Sequence, residues 1–314
     1  MSNKIHKIYL IKNIAKIFKL GYNKNMLNLI VAPKEHSSKA ERVAKKIVKF
    51  LKTEQVEYSV YFSKNMDSVK TNTKALLSNG EFEFVVVGDD CIIHDVVSCF
   101  KDLNKVKLGI VPIGKEDDFS NYLELSHNPI QAIKDILKKQ IHEIDLLVVN
   151  SSPVINNIVI GASVEVFYQY NNYKIKNFAT EKFATKKYGN SYPGIDLYMD
   201  NKNKSKKETV FELVVANGGF SKHKPVSPLS NMSDGLFNLN YSTAANKQGR
   251  KKFIKQFNKG EHIYDEDTKQ FWLSSLKITN PDRKIKTLID GIISMEEELN
   301  ISIVEKALKI YKKP

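Results

Sequence analysis

Residues 82–97 read FEFVVVGDDCIIHDVV. An apolar run ending at Gly88, a polar turn, and helical spacing over residues 92–103 predict strand, turn and helix in that order. The same alternation continues on both sides. Upstream, residues 26–33 (MLNLIVAP) predict a strand, and residues 37–51 a helix on which Ala40, Val43, Ala44, Ile47, Val48 and Leu51 form one apolar stripe. Residues 56–62 then predict a strand and residues 69–77 a helix. Downstream, residues 107–113 (KLGIVPI) predict a strand that also ends in a polar turn, and residues 129–139 a helix. Strands alternating with helices imply a doubly wound parallel sheet covered on both faces. Ligands of such sheets bind outside the carboxyl ends of the strands, where both polar turns lie.

After residue 141 the pattern changes. Residues 143–150, 157–166, 194–199, 209–216, 235–241, 273–279 and 286–289 read as strands joined by turns, with few helices between them. The expected fold class is therefore α/β plus β, an N-terminal doubly wound domain followed by a mostly antiparallel β domain. The Lys/Asn-rich stretch 201–207 reads as a solvated hairpin tip. Residues 301–311 read as a strand followed by a short basic helix that returns to the first domain. The expected division is a basic extension (1–25), the α/β domain (26–142), the β-rich domain (143–298) and a returning segment (299–314).

At 314 residues, with 42% hydrophobic and 27% charged side chains, the chain is too long for one minimal domain and too apolar to be disordered. Its net charge is +14, and only Arg42, Arg250 and Arg283 among its cations are arginine. Scarce arginine argues against sequence-specific nucleic-acid readout, which relies on the guanidinium fork. A lysine-rich surface suits an anionic membrane; it is also the composition an AT-rich genome produces. Six lysines and no acid precede Met26, where Ile8, Ile11, Ile14, Ala15 and Phe18 recur at helical spacing. Such a segment reads either as an interfacial amphipathic helix or as an extra helix packed on the domain. No apolar run spans a bilayer and no cleavable leader is evident. Cys91 and Cys99 are too few for a disulfide framework and lack metal-site spacing with histidine, so reduced thiols and no zinc are expected.

The turn at residues 88–97 resembles, in altered form, the Gly-Gly-Asp-Gly-Thr-x-Asn-Glu-Val-Val motif of the diacylglycerol kinase-like lipid kinases. Residues 108–125 (LGIVPIGKEDDFSNYLEL) resemble that family's Leu-Gly-Ile-x-Pro-x-Gly-Thr-Gly-Asn-Asp-Phe motif, with Gly109, Pro112, Gly114, Asp118 and Phe119 kept. Asn217-Gly218, Pro228, Asp234-Gly235-Leu236, Gly260-Glu261-His262 and Asp290-Gly291 match later landmarks in the same order, and Ala32-Pro33 takes the place of an early Asn-Pro turn. NAD kinases share the fold and the first turn, but the later landmarks favour the lipid-kinase branch.

The resemblance implies ATP and Mg²⁺ in a cleft between the domains, with phosphoryl transfer to a diacylglycerol-like hydroxyl. It also implies action on the cytoplasmic side, peripheral at the inner membrane face, and is compatible with a homodimer. By the same resemblance Gly88, Asp89, Asp90, Cys91, Ile92, Gly114 and Lys115 would meet the nucleotide, and Asp118 and Asp290 would serve catalysis. Asn231, Asp234 and Leu236 would hold a structural metal. Departures are concentrated where phosphates would lie. Asp89, Cys91 and Ile92 replace Gly, Gly and Thr; Lys115, Glu116 and Asp117 replace Thr, Gly and Asn; Ile292 replaces a Glu. Asp290 is left as the candidate base, and His94 is expected to cap or pack the helix start. Two readings stay open: an ATP-dependent lipid kinase of weak or altered activity, and an inactive pseudokinase that binds lipid or a partner.

Overall fold

The structure, a computed structural model, describes residues 26–114, 117–202, 204–221 and 224–313. The basic extension and Lys115 lie outside the described residues.

The first half follows the alternation in the sequence. Strands β1 (Leu27–Val31), β2 (Tyr58–Phe62), β3 (Glu83–Gly88) and β4 (Lys107–Pro112) run parallel in the order β2-β1-β3-β4. Helices α1 (Ala40–Thr53), α2 (Met66–Ser78), α3 (Asp90–Val97), α4 (Asp118–Tyr122) and α5 (Pro129–Leu137) connect and cover them. Helix α1 buries Ala40, Ala44, Ile47 and Leu51 against the sheet, one face at helical spacing. β1 is buried along its whole length, as a central parallel strand should be. In register Gly88 lies beside Pro112, so the polar turns after β3 and β4 are neighbours. Helix α3 is shorter than its periodicity predicts. It stops at Val97, and Phe100 folds back to stack on Phe84 with ring centroids 5.6 Å apart.

The second half consists of β5 (Ile141–Val149), β6 (Ser152–Val154), β7 (Asn157–Gly161), α6 (Ala162–Asn171), α7 (Phe178–Ala184), β8 (Ile195–Asn201), β9 (Lys204–Val210) and β10 (Glu212–Ala216). These are followed by β11 (Phe237–Ser242), α8 (Lys247–Phe257), β12 (Thr268–Leu273), β13 (Ser275–Thr279), β14 (Ile285–Ile289), β15 (Ile292–Glu296) and β16 (Glu298–Tyr311). One antiparallel sheet has the order β12-β11-β10-β7-β14-β15. The other continues the parallel sheet as β4-β16-β13-β8-β9, with β5 paired to β16 and β6 to β5. Leu197, Ile278 and Leu299 of the continuous sheet and Ile160, Leu213 and Leu239 of the antiparallel one share a core, which makes this half a β-sandwich. The expected junction at residues 142/143 falls inside β5.

Three expectations need correction. The strand predicted over residues 157–166 ends at Gly161, whose φ of +123° turns the chain into α6; a Cβ there would lie 2.4 Å from the Phe211 carbonyl oxygen. The second half is mostly strand, as expected, with helices α6, α7 and α8 added to it. Residues 298–311 form one strand with no terminal helix. A bulge at Lys306 (φ 50°) shifts the register between Val304 and Leu308, after which Leu308, Ile310 and Tyr311 are buried between β4 and β5. The hairpin tip is also shorter than residues 201–207, because β8 runs to Asn201 and β9 begins at Lys204.

Candidate active site

The carboxyl ends of β1, β3 and β4 open onto a cleft of about 490 Å³. His36, Asp89, Asp90, Cys91, Gly114 and Asp118 line it from the first half, and Asn156, Asn157, Phe167, Ser221, Asp290 and Gly291 from the second. The structure thus brings together six of the residues singled out above: Asp89, Asp90, Cys91, Gly114, Asp118 and Asp290. Gly88 and Ile92 lie beneath the cleft. Ile92 is fully buried, and a Cβ on Gly88 would come within 2.6 Å of the Ile92 Cβ, so their side of the turn serves packing. Asn231, Asp234 and Leu236 lie away from the cleft.

The N-terminus of α3 would be the natural seat for a phosphate, since its N–H groups point outward and its dipole favours an anion. Asp89 takes that place. It is the N-cap of α3, with Oδ1 accepting from the Ile92 N–H at 3.4 Å and Oδ2 2.7 Å from His36 Nε2. The hydrogen bond to Asp89, with the nearby negative charge, raises the His36 pKa against the opposing effect of burial. The second turn is closed in the same manner. The Gly114 N–H donates to Asp117 Oδ1 at 3.2 Å, and a Cβ on Gly114 would meet Asp89 Cβ at 2.5 Å and Asp117 Oδ1 at 2.6 Å. Two side chains therefore fill the space that glycines leave for phosphate oxygens in a cradle of this type. The residues present do not fit a triphosphate held by these amides.

Donors for a hard divalent cation survive better. Asp90 Oδ2 accepts from the Phe119 N–H at 3.0 Å, while Oδ1 is buried with no hydrogen-bond partner. Desolvation pushes the Asp90 pKa up to about 8; the Phe119 N–H opposes this, and the charges of Asp118, Asp117 and Asp290 add to it. A carboxyl held protonated beside other carboxylates is a place where a cation would relieve both burial and repulsion. Asp90 and Asp118, neighbouring carboxylates in the cleft, are the residues that would hold Mg²⁺.

Asp290 does not sit as a general base should. It occupies the first central position of the tight β14–β15 hairpin, and both Asp290 (φ 46°) and Gly291 (φ 82°) adopt the left-handed conformation that such turns need. Its carboxylate accepts from the N–H groups of Ile155 (2.8 Å), Asn156 (2.8 Å) and Asn157 (3.2 Å), and Oδ2 is 2.8 Å from His94 Nδ1. A carboxylate has about four acceptor sites, and four protein groups address this one. With a fully buried side chain, it has no capacity left to receive a proton from a substrate hydroxyl. It is a clamp joining α3, the β6–β7 turn and the β14–β15 hairpin. His94 is the partner that packs the helix against this clamp. Burial lowers its pKa, but the hydrogen bond and charge of Asp290 more than reverse that, and the net direction is upward. Ile292, where the lipid kinases carry a carboxylate, is 39% exposed and offers no acceptor.

The expected metal turn is folded by its own hydrogen bonds. Asn231 Oδ1 accepts from the Ser233 N–H at 3.1 Å and Asp234 Oδ1 from the Leu236 N–H at 3.0 Å, which are Asx turns, and Leu236 contributes only backbone. Buried Asp145 pins the same loop by accepting from Gly235 and Lys306. Sequence reasoning missed His36, Asn156 and Asn157. The topology held the one available signal, because loops after parallel strands meet at the carboxyl edge of the sheet.

Residues 26–149 match the family model described as the diacylglycerol kinase catalytic domain. The diacylglycerol kinase of Bacillus subtilis (strain 168) is 26% identical over 221 residues, covering 67% of this chain and 71% of that protein. That of Staphylococcus carnosus (strain TM300) is 24% identical over 215 residues, covering 66% and 69%. Among solved structures, a diacylglycerol kinase from Bacillus anthracis superposes with a TM-score of 0.71 at 16% identity, covering 93% of this chain and 99% of that one. Yeast NADH kinase, solved with NADH, superposes with a TM-score of 0.55 at 12% identity, covering 93% and 85%. These superpositions establish the fold, an NAD kinase-like α/β domain with a β-sandwich.

Proposed function

The chain belongs to the diacylglycerol kinase-like lipid kinases, and on that premise we propose that it engages a diacylglycerol-like lipid at an anionic membrane surface, with phosphoryl transfer from ATP weakened or lost. The observation that carries this reading is the carboxylate of Asp89 at the N-terminus of α3, packed against Gly114. It puts negative charge and bulk where a triphosphate would need amide donors. Each phosphate contact forfeited costs about 1–3 kcal/mol, and several together lower the rate by orders of magnitude.

The membrane half of the reading is supported by the surface of α7 and the segments flanking it. Ile175, Phe178 and Phe183 are 68%, 79% and 55% exposed, and Lys174, Lys176, Lys182, Lys186 and Lys187 surround them with Glu181 as the one acid between residues 174 and 187. Aromatic side chains amid lysines suit the headgroup region of anionic lipid, and Phe167 of the preceding helix α6 lines the cleft. Such attachment would be peripheral. No helix among the described residues is long and apolar enough to cross a membrane.

A mixed-micelle assay with Mg-ATP and diacylglycerol tests the proposal. The expected outcome is phosphorylated lipid at or near background; turnover at the rate of the Bacillus subtilis enzyme in parallel would overturn it. A slow kinase is the second reading, supported by Asp90 and Asp118, carboxylates that both line the cleft. Slow product would support that reading; Asp118→Asn should then remove it, and activity that survives this change would take Asp118 out of the metal-holding role.

A further inference from the structure

The two side chains that replace glycines in the first turn share a property beyond bulk. Asp89 and Cys91 are both metal-ligating types, they stand two residues apart at the start of α3, and His36 faces them from the loop between β1 and α1. One ligand atom from each, an imidazole nitrogen, a carboxylate oxygen and Sγ, lie within 4.8 Å of one another. This is the one such trio of His, Cys, Asp or Glu among the described residues. All three line the open cleft, so an ion can reach them from solvent.

We propose that His36, Asp89 and Cys91 form a binding site for a single zinc-class transition-metal ion. The donor set is one nitrogen, one oxygen and one sulfur, which suits a borderline-soft cation that accepts four tetrahedral ligands; three protein ligands leave the fourth position open toward the cleft. Mg²⁺ is a poor occupant, because it demands octahedral oxygen ligation and has no affinity for thiolate. Metal–ligand lengths of about 2.0–2.3 Å place tetrahedral ligand atoms about 3.3–3.6 Å apart. The His36–Asp89 pair, 2.7 Å apart as a hydrogen bond, therefore needs to open by only about 0.6 Å as the ion takes the place of the shared proton. Binding forms the metal–sulfur bond and releases the thiol proton of Cys91 to water; the proton between His36 Nε2 and Asp89 goes to water as well, or the neutral imidazole keeps its one proton on Nδ1, and no oxidation state changes. The positive end of α3 opposes a cation with about half a unit charge, and the two negative charges of carboxylate and thiolate outweigh it. His36 is 53 residues from Asp89 in sequence, which is why cysteine and histidine spacing gave no sign of a zinc site.

Titration of the chelator-treated full-length protein with Co²⁺ tests the site independently of any kinase or lipid activity. The expected result is one ion per chain, with tetrahedral visible absorption and a thiolate-to-cobalt charge-transfer band, displaced by equimolar Zn²⁺ and unaffected by millimolar Mg²⁺. Cys91→Ser should abolish the charge-transfer band, whereas Cys99→Ser, which alters the other thiol, should retain it. His36→Ala removes a side chain at the cleft mouth and should weaken Co²⁺ at least tenfold with the metal-free melting temperature unchanged. A missing band, a band that survives Cys91→Ser, or unchanged affinity in His36→Ala would each overturn the assignment.

Discussion

Asp290 directs both carboxylate oxygens at protein donors, and its loss should be felt as stability before chemistry. Asp290→Asn keeps the shape but presents an amide N–H₂ to groups that themselves donate, which costs about 3 kcal/mol by analogy with other broken buried charge networks. Urea unfolding measures the cost. The same substitution removes the hydrogen bond and charge that raise the His94 pKa most, leaving burial, the charge of Lys70 and the opposing charge of Asp95, so its pKa should fall, as an NMR titration would record. Asp90 behaves in the opposite sense to most carboxyls. Its folded pKa of about 8 lies far above the ordinary carboxyl value of 3.8, so its favourable contribution is complete below the lower value and disappears as pH rises through the upper one. Asp90→Asn should therefore gain stability relative to the parent between about pH 4 and pH 8, with the gap in melting temperature widest at the alkaline end. A constant gap across that window would show that Asp90 does not titrate there.

At the scale of elements, α3 decides the fate of the nucleotide. Its N–H groups are present, and what stands before them is a side chain. Restoring Asp89→Gly together with Cys91→Gly should uncover them, so that the double variant, unlike its parent, melts at a higher temperature in Mg-ATP. The strands behind this helix were legible because β1, β3 and β4 are short apolar runs bounded by polar turns, and α1 because its buried residues keep helical spacing. Helix α6 was not. The run NIVIGASVEV alternates straight through Gly161, and only the backbone conformation of that glycine, with Phe211 packed against it, ends the strand. Helix α8 hid Phe253 and Phe257 among five lysines and arginines, so its apolar stripe is just two residues wide. The cleft was legible as two loops following parallel strands. The partners from distant segments, His36 on Asp89 and the N–H groups of residues 155–157 on Asp290, leave no local pattern to read.

Across the whole molecule, β16 binds the halves into one sheet: it pairs with β13 early, with β4 late, and with β5 on both sides of the bulge. The cleft walls are thus held by a continuous sheet and by the Asp290 clamp. On the outside, the +14 charge and the aromatic surface of α7 and the segments flanking it give attraction to anionic lipid that salt should screen. Phe178→Ser combined with Phe183→Ser should reduce binding to anionic liposomes by about tenfold or more, since each buried phenyl ring is worth about 1.5–3 kcal/mol. Equal binding by variant and parent would move the contact elsewhere. The closed phosphate cradle is tested most directly by the melting temperature of the unmodified protein across an Mg-ATP titration. A flat response to millimolar nucleotide is expected. A ligand at about 100 times its Kd adds about 2.7 kcal/mol of stability, so a saturable rise of several degrees would contradict the closure of the cradle by Asp89 and Asp117.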